Sequence, residues 1–319
     1  MLQGGQIGGF AIVEKLSHGS FGQVFIVHSI NNKELYAAKV EPVYTHQNKL
    51  NFEAKVLKSL QKSEYFPRYK TFGQNAHFSY LILELLGPSL TTVLKRLQTS
   101  KFSLSTGLRV AQHSLNAIEF FHSRGIIHRD IKPSNILVHI NSSKYPISLI
   151  DFNLARYYID NDTKNHLPER KNPGFRGTVT YASIHAHLNQ ELSRRDDLIS
   201  WFYVITDLLI GDLPWRSLNN KDEIMIMKQN VSFSALLNPI VPEMTEIWQL
   251  IKKLKYDEEP DYQRIRILLQ EAMLASNIEE NSPYDWDELL SKKKEKENLD
   301  ILDISESIIQ SKNRCCQIL

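Results

Sequence analysis

Hydrophobic and polar positions change their period along this chain, and the changes divide it into regions. From Phe10 to Val27 apolar and polar residues alternate around Ser17-His18-Gly19-Ser20-Phe21-Gly22-Gln23-Val24, which predicts a hairpin with glycines at its turn. Leu35 to Val40 predicts another strand, with Ala37 and Lys39 on one face by period-two alternation. Helical spacing follows over residues 48–60, where Leu50, Leu57 and Leu60 share a face and Glu53 falls in phase with them. After Pro67 the run from Tyr80 to Leu86 predicts a strand ending at a connector, Gly87-Pro88. Ser105 to His122 is an amphipathic helix: Leu108, Ala111, Leu115, Ile118 and His122 recur at helical steps, and Gly125 supplies the stop signal. Ile136-Leu137-Val138 and Ile147-Ser148-Leu149-Ile150 predict two short strands, and Leu198 to Ile210, apolar on every side, predicts a buried helix. From Asp287 onward the pattern gives way to Lys292-Lys293-Lys294-Glu295-Lys296-Glu297, charge dense enough for a solvated helix or a disordered extension.

Composition narrows the classes. At 319 residues the chain can bury a large core or two packed lobes, and 42% apolar with 23% charged residues is the balance of an ordinary globular protein. The net charge of +2 implies no dedicated nucleic-acid surface. The beginning of the chain lacks the basic and apolar regions of a signal peptide, and Leu198–Ile210 contains Asp207 and is too short to cross a bilayer. The cysteines, Cys315 and Cys316, leave no room for a disulfide framework, which fits a reducing, cytoplasmic compartment.

Candidate chemistry centres on His128-Arg129-Asp130-Ile131-Lys132-Pro133-Ser134-Asn135, a stretch that Pro133 keeps from being regular helix. The strand-like runs that follow would bring Asp130, Asn135 and Asp151 to one edge of a sheet. A carboxylate to take a hydroxyl proton, with an amide oxygen and a second carboxylate for Mg²⁺, is what phosphoryl transfer requires. A carboxylate on the buried face of a helix needs a partner, and Lys39 is the natural one for Glu53. Taken alone, the glycine hairpin reads as a plain turn and Lys39 as a surface lysine; their order ahead of the Asp130 stretch favours a phosphate-handling role.

His128-Arg129-Asp130-x-Lys132-x-x-Asn135 followed by Asp151-Phe152-x resembles the catalytic and metal loops of eukaryotic protein kinases, with Lys132 the serine/threonine-type choice. Leu85-Leu86-Gly87-Pro88-Ser89-Leu90, Ala182-Ser183-Ile184, Ser193-Arg194-Arg195-Asp196-Asp197-Leu198 and Leu213-Pro214-Trp215 are similar to the casein kinase 1 family. Phe102-Ser103-Leu104-Ser105-Thr106 and Gly174 to Val179 look like its tau-tubulin kinase branch. The resemblance implies an α+β, two-lobed protein kinase fold over residues 10–286. It would have a small β-rich N-lobe (about 10–86) and a larger, mainly helical C-lobe (about 87–286), with a short extension over 1–9 and a charged tail over 287–319. It implies ATP and Mg²⁺ as cofactors, Asp130, Lys132 and Asn135 as catalytic residues, and Asn135 and Asp151 as metal ligands. Leu16, Gly19, Gly22, Val24, Ala37, Lys39, Glu53, Leu83, Glu84, Leu86, Leu137, Ile150 and Asp151 would form the nucleotide site. Asp197 would fix the backbone of the catalytic loop. A partner-binding pseudokinase is the alternative, since Ser17 and Asn153 stand where the family has glycine.

Asparagine is among the least costly replacements where φ must be positive, so Asn153→Gly is expected to keep or raise activity. Thr180 stands where the family usually has an arginine that binds a phosphate already on the substrate; Arg170, Lys171 and Arg176 would still favour acidic protein substrates. The expected protein is a monomer. The last residues, Cys316-Gln317-Ile318-Leu319, match a prenylation pattern, and Cys315 could be palmitoylated, giving a lipid-anchored membrane pool.

Overall fold

The structure, a computed structural model, describes residues 5–19, 22–32, 34–43, 49–140, 144–160 and 162–296. The prenylation-like residues Cys315 and Cys316 lie outside the described residues. The chain divides into two compact units: one runs to Val93 and includes Ile136–Asn153, and the other comprises Leu94–Asn135 with Leu154–Leu289. The first is β-rich and the second mainly helical, α+β in all.

In the first unit β1 (Gln6–Ile7), β2 (Phe10–Gly19), β3 (Gly22–Ser29), β4 (Leu35–Pro42), β5 (Tyr69–Gln74) and β6 (Phe78–Glu84) form an antiparallel sheet in the order β1-β2-β3-β4-β6-β5. Alternation in the sequence becomes two faces. Phe25, Val27, Tyr36, Ala38, Val40 and Ile82 pack into a core on one of them. The turn side of β3 demands a glycine: Gly22 has φ +127°, and a Cβ there would lie 2.4 Å from the Val40 carbonyl oxygen. Helix α1 (Lys49–Ser59) packs on β5 and β6, burying Leu50, Val56, Leu57 and Glu53. The strand predicted through Leu86 stops at Glu84, leaving Leu85 and Leu86 in the connector that leads to α2 (Leu90–Arg96).

The second unit is built around α3 (Leu104–Ser123), followed by β7 (Ile126–Ile127). The chain then returns to the first unit for a hairpin, β8 (Ile136–Val138) with β9 (Ile147–Leu149), where Leu137 faces Ser148. This hairpin belongs with the β-rich unit because the connector holds it. The Gly87 amide donates to the Val138 carbonyl and the Val138 amide to the Pro88 carbonyl, each at 2.9 Å. The approximate bounds that the resemblance implied placed these residues in the larger lobe.

Back in the second unit, β10 (Arg156–Tyr157) pairs with β7, and six helices follow: α4 (Ile184–His187), α5 (Arg194–Ile210), α6 (Lys221–Asn230), α7 (Phe233–Leu237), α8 (Glu243–Ile251) and α9 (Tyr262–Ala275). Helix α5 is buried as its all-round apolar sequence predicts, with Leu198, Trp201, Phe202, Tyr203 and Val204 fully shielded. The Trp201 indole satisfies its N–H on Ser114 Oγ at 2.9 Å. Past α9, Asp285 caps the start of α3 by accepting from the Ser103 amide (2.6 Å) and Thr106 Oγ1 (2.9 Å), and buried Trp286 stacks on Tyr284. The charged stretch then begins as a helix, α10 (Asp287–Lys296). Among the described residues no helix is long and apolar enough to cross a membrane.

Candidate active site

In the first unit, strand register gathers the expected nucleotide-site residues. Val24 faces Lys39 and Lys39 faces Leu81; one step along, Ile26 faces Ala37 and Ala37 faces Leu83. Facing residues of antiparallel strands share a side of the sheet, so Val24, Ala37, Lys39 and Leu83 lie on the face opposite the Tyr36–Ala38–Val40 core. Leu16 and Leu86 are buried, and Leu137 and Ile150 half-buried. The Glu84 carboxylate accepts from the Arg68 amide at 3.0 Å, a structural engagement that leaves its backbone at the edge of the connector. Gly19 pairs with Gly22 across the predicted hairpin, whose tip at residues 20–21 lies outside the described residues.

Lys39 is held from two sides: its Nζ donates to Glu53 Oε2 at 2.7 Å and to Asp151 Oδ1 at 3.2 Å. Burial works against the ammonium charge, but Asp151 and Glu53 outweigh it and raise Lys39 above the usual lysine range. The Lys39–Glu53 pair predicted from helical phase is therefore present. Asp151 itself adopts φ +70°, a left-handed conformation uncommon for a non-glycine residue. This corrects the reading of Asn153. The positive φ belongs to Asp151, not to Asn153, which sits in a single 3-10 turn (Phe152–Leu154) and donates its amide to Asp151 Oδ1 at 2.8 Å. Asparagine is there as a hydrogen-bond donor, so glycine would lose a contact instead of relieving strain.

In the second unit, the residues after β7 form a loop shaped by buried polar groups. Asp197, in the first turn of α5, accepts from the His128 amide (2.6 Å), the Arg129 amide (2.7 Å) and His122 Nε2 (2.9 Å). Burial alone would raise its carboxyl, and these donors reverse that and lower it. Two successive backbone N–H groups are thus fixed on one carboxylate, with Arg129 at φ +67°. Asp130 follows directly. Its Oδ2 lies 2.7 Å from Lys132 Nζ, and its Oδ1 accepts from Thr178 Oγ1 at 2.7 Å. Lys132 Nζ also donates to Thr178 Oγ1, at 3.0 Å. Asn135 donates Nδ2 to the Asp130 carbonyl at 3.0 Å, which fixes the amide and leaves its oxygen as the remaining ligand atom.

The structure thus brings Asp130, Lys132 and Asn135 together in one unit and Lys39, Glu53 and Asp151 in the other. An amide oxygen and a carboxylate are each hard oxygen donors of the kind Mg²⁺ takes, so the chemistry of Asn135 in its unit and of Asp151 in the other suits that ion, and the Lys39 ammonium suits an anionic phosphate chain. Sequence reasoning missed three contributors. Thr178 lies in a segment noted only for its family likeness; the available signal was the adjacent glycine, Gly177, which in the fold has φ +103° and leaves no room for a Cβ beside the Arg129 carbonyl, 2.9 Å away. Glu191 and Lys228 carried none, because both are single charges in stretches of unremarkable pattern. Glu191 is buried, bonded to Arg170 and 4.0 Å from Arg156 Nε. Arg170, expected to read acidic substrates, is thereby occupied within the fold. Lys228 is buried and donates to the Val179 and Ala182 carbonyls at 2.7 Å each, beneath the segment carrying Thr178.

The class of protein these two clusters define is matched by comparison with known sequences. A family model for the protein kinase domain covers residues 10–298, and the chain belongs to the protein kinase family. A probable serine/threonine-protein kinase of Dictyostelium discoideum is 38% identical over 281 residues, 88% of this chain and 57% of that relative. The chain thus spans little more than half the length of that relative.

Proposed function

We propose that this chain transfers the γ-phosphoryl group of ATP to serine and threonine hydroxyls of proteins. The arrangement of Asp130 with Lys132, Asn135 and Thr178 carries the reading. Asp130 would orient the substrate hydroxyl and accept its proton, while Lys132, 2.7 Å away, would stabilise charge on the moving group. Asn135 and Asp151 would hold Mg²⁺, and Lys39, braced by Glu53, would position the phosphates. Bound Mg²⁺·ATP would supply the phosphoryl group and neutralise its charge; the protein's own contribution is placement and electrostatics.

Likeness to the casein kinase 1 family, and within it to the tau-tubulin kinase branch, rests on the Ala182-Ser183-Ile184 segment and the motifs around it. With Arg170 engaged by Glu191, a preference for acidic peptides would fall to Lys171 and Arg176. A scaffold role is disfavoured because every charge-handling residue is present. Incubation with Mg²⁺·ATP and casein should label serine and threonine. Nucleotide binding without transfer to any protein would overturn the assignment in favour of the scaffold.

A further inference from the structure

Glu191 lies in the connection between α4 and α5, and its side chain is only 1% exposed. A carboxylate so deeply placed is costly unless cations compensate it. Here the cations come from three separate parts of the second unit. Arg170, in the polar segment after β10, makes a two-pronged contact, with its Nη2 3.0 Å from Oε1. Arg156, on β10, brings Nε to 4.0 Å. Arg129, on the catalytic loop beside Asp130, is near enough to lower the Glu191 carboxyl electrostatically, together with the other two. Burial would by itself raise that carboxyl; the arginines keep it below its usual value.

The same charges are in conflict with one another. Burial pushes the Arg129 guanidinium down to about 10, repulsion by Arg156, Arg170 and Arg176 adds to this, and Glu191 works the other way. Arg129 is covalently next to Asp130, donates Nε to the Leu154 carbonyl at 2.6 Å and has its amide on Asp197. Any displacement of Arg129 by its neighbours' repulsion would therefore move the backbone that presents Asp130.

We propose that Glu191 is the built-in counter-anion of this arginine cluster: a positioning residue that ties the catalytic loop, β10 and the polar segment together, so that they need no added phosphate to hold their places. The proposal rests on the kinase reading for its activity arm only. Arginine guanidinium forks bind phosphate and sulfate as readily as carboxylate. Removing the Glu191 carboxylate should therefore leave a site that a small oxyanion can fill.

The test compares wild type with Glu191→Ala and with the equal-sized Glu191→Gln, which serves if the alanine variant fails to fold. Two readouts are taken, each with and without millimolar sodium sulfate and with sodium chloride at matched ionic strength. Hydrogen exchange over residues 154–181 needs no turnover. It should be faster in the variants, and sulfate, not chloride, should slow it again in Glu191→Ala. Phosphate transfer to casein should fall roughly tenfold in kcat with little change in KM for ATP, and sulfate should restore part of it. Unchanged exchange in the variants, or faster exchange that chloride corrects as well as sulfate does, would overturn the proposal. Wild type that exchanges as expected but transfers no phosphate would instead count against the kinase reading.

Discussion

The two polar clusters are assembled by opposite means. Lys39, Glu53 and Asp151 meet because a strand, a helix and the residue two beyond a hairpin's end each present one side chain, and the charges bond directly at 2.7 and 3.2 Å. The cluster around Asp130 stands on irregular backbone, and its shape comes from polar side chains bonded to it: Asp197 beneath the His128 and Arg129 amides, Thr178 on the Asp130 carboxylate, and Lys228 under the Val179 and Ala182 carbonyls. Where regular elements do the positioning, one lost contact should cost function more than it costs the fold. Where a buried charge organises a loop, its loss should cost both.

The sharpest way to break that contrast is Asp197→Ala. It would strand two backbone donors and His122, so stability should fall by about 3–5 kcal/mol and activity should be abolished, as thermal melting and phosphate transfer would record. A variant that melts like wild type would erase the distinction. In the first unit Lys39→Met should lower kcat/KM by about a hundredfold, because a positioned cation acts mainly on the reacting charge, and should lower the melting temperature less than Asp197→Ala does, because the stranded Glu53 carboxyl, already raised by burial, can take up a proton.

Lys228 sharpens the comparison through pH. Burial pushes its ammonium down to about 6, far below an unfolded lysine at about 10.4. Among the described residues its contacts are the Val179 and Ala182 carbonyls, the rings of Tyr203 and Trp215, and His187, itself pushed down to about 4 by burial and by Lys228. The folded state thus disfavours the protonated form. The penalty is absent above the unfolded value, grows as pH falls and is complete near pH 6. The melting temperature of wild type relative to Lys228→Met should accordingly rise from about pH 6 to pH 9. A flat difference would mean that Lys228 stays charged in place.

The smallest expected effect is Asn153→Gly. Losing the 2.8 Å amide bond to Asp151 should lower activity a few-fold, about 1 kcal/mol, in steady-state assays. This reverses the expectation drawn from sequence, and the reason is instructive. The resemblance put a glycine where Asn153 stands and so pointed to a positive φ there, whereas the fold gives the positive φ to Asp151.

Legibility followed the same divide. Period-two alternation placed Ala37 and Lys39 together, and helical phase marked Glu53 as buried, because regular elements convert sequence spacing into direction. The catalytic loop was legible as a motif but not as a structure. Nothing local to Thr178, Glu191 or Lys228 reports that each meets partners 48, 21 and 49 residues away. Such pairings depend on how the helices of the second unit pack, and pattern alone does not encode it.

The most direct measurement is the rate of phosphate transfer to casein by the Asp130→Asn variant beside wild type, at saturating Mg²⁺·ATP. If Asp130 takes the hydroxyl proton, the rate should drop by about a thousandfold while melting temperature and nucleotide affinity stay level. Comparable rates in the two proteins would contradict the role given to Asp130 and, with it, the site as described.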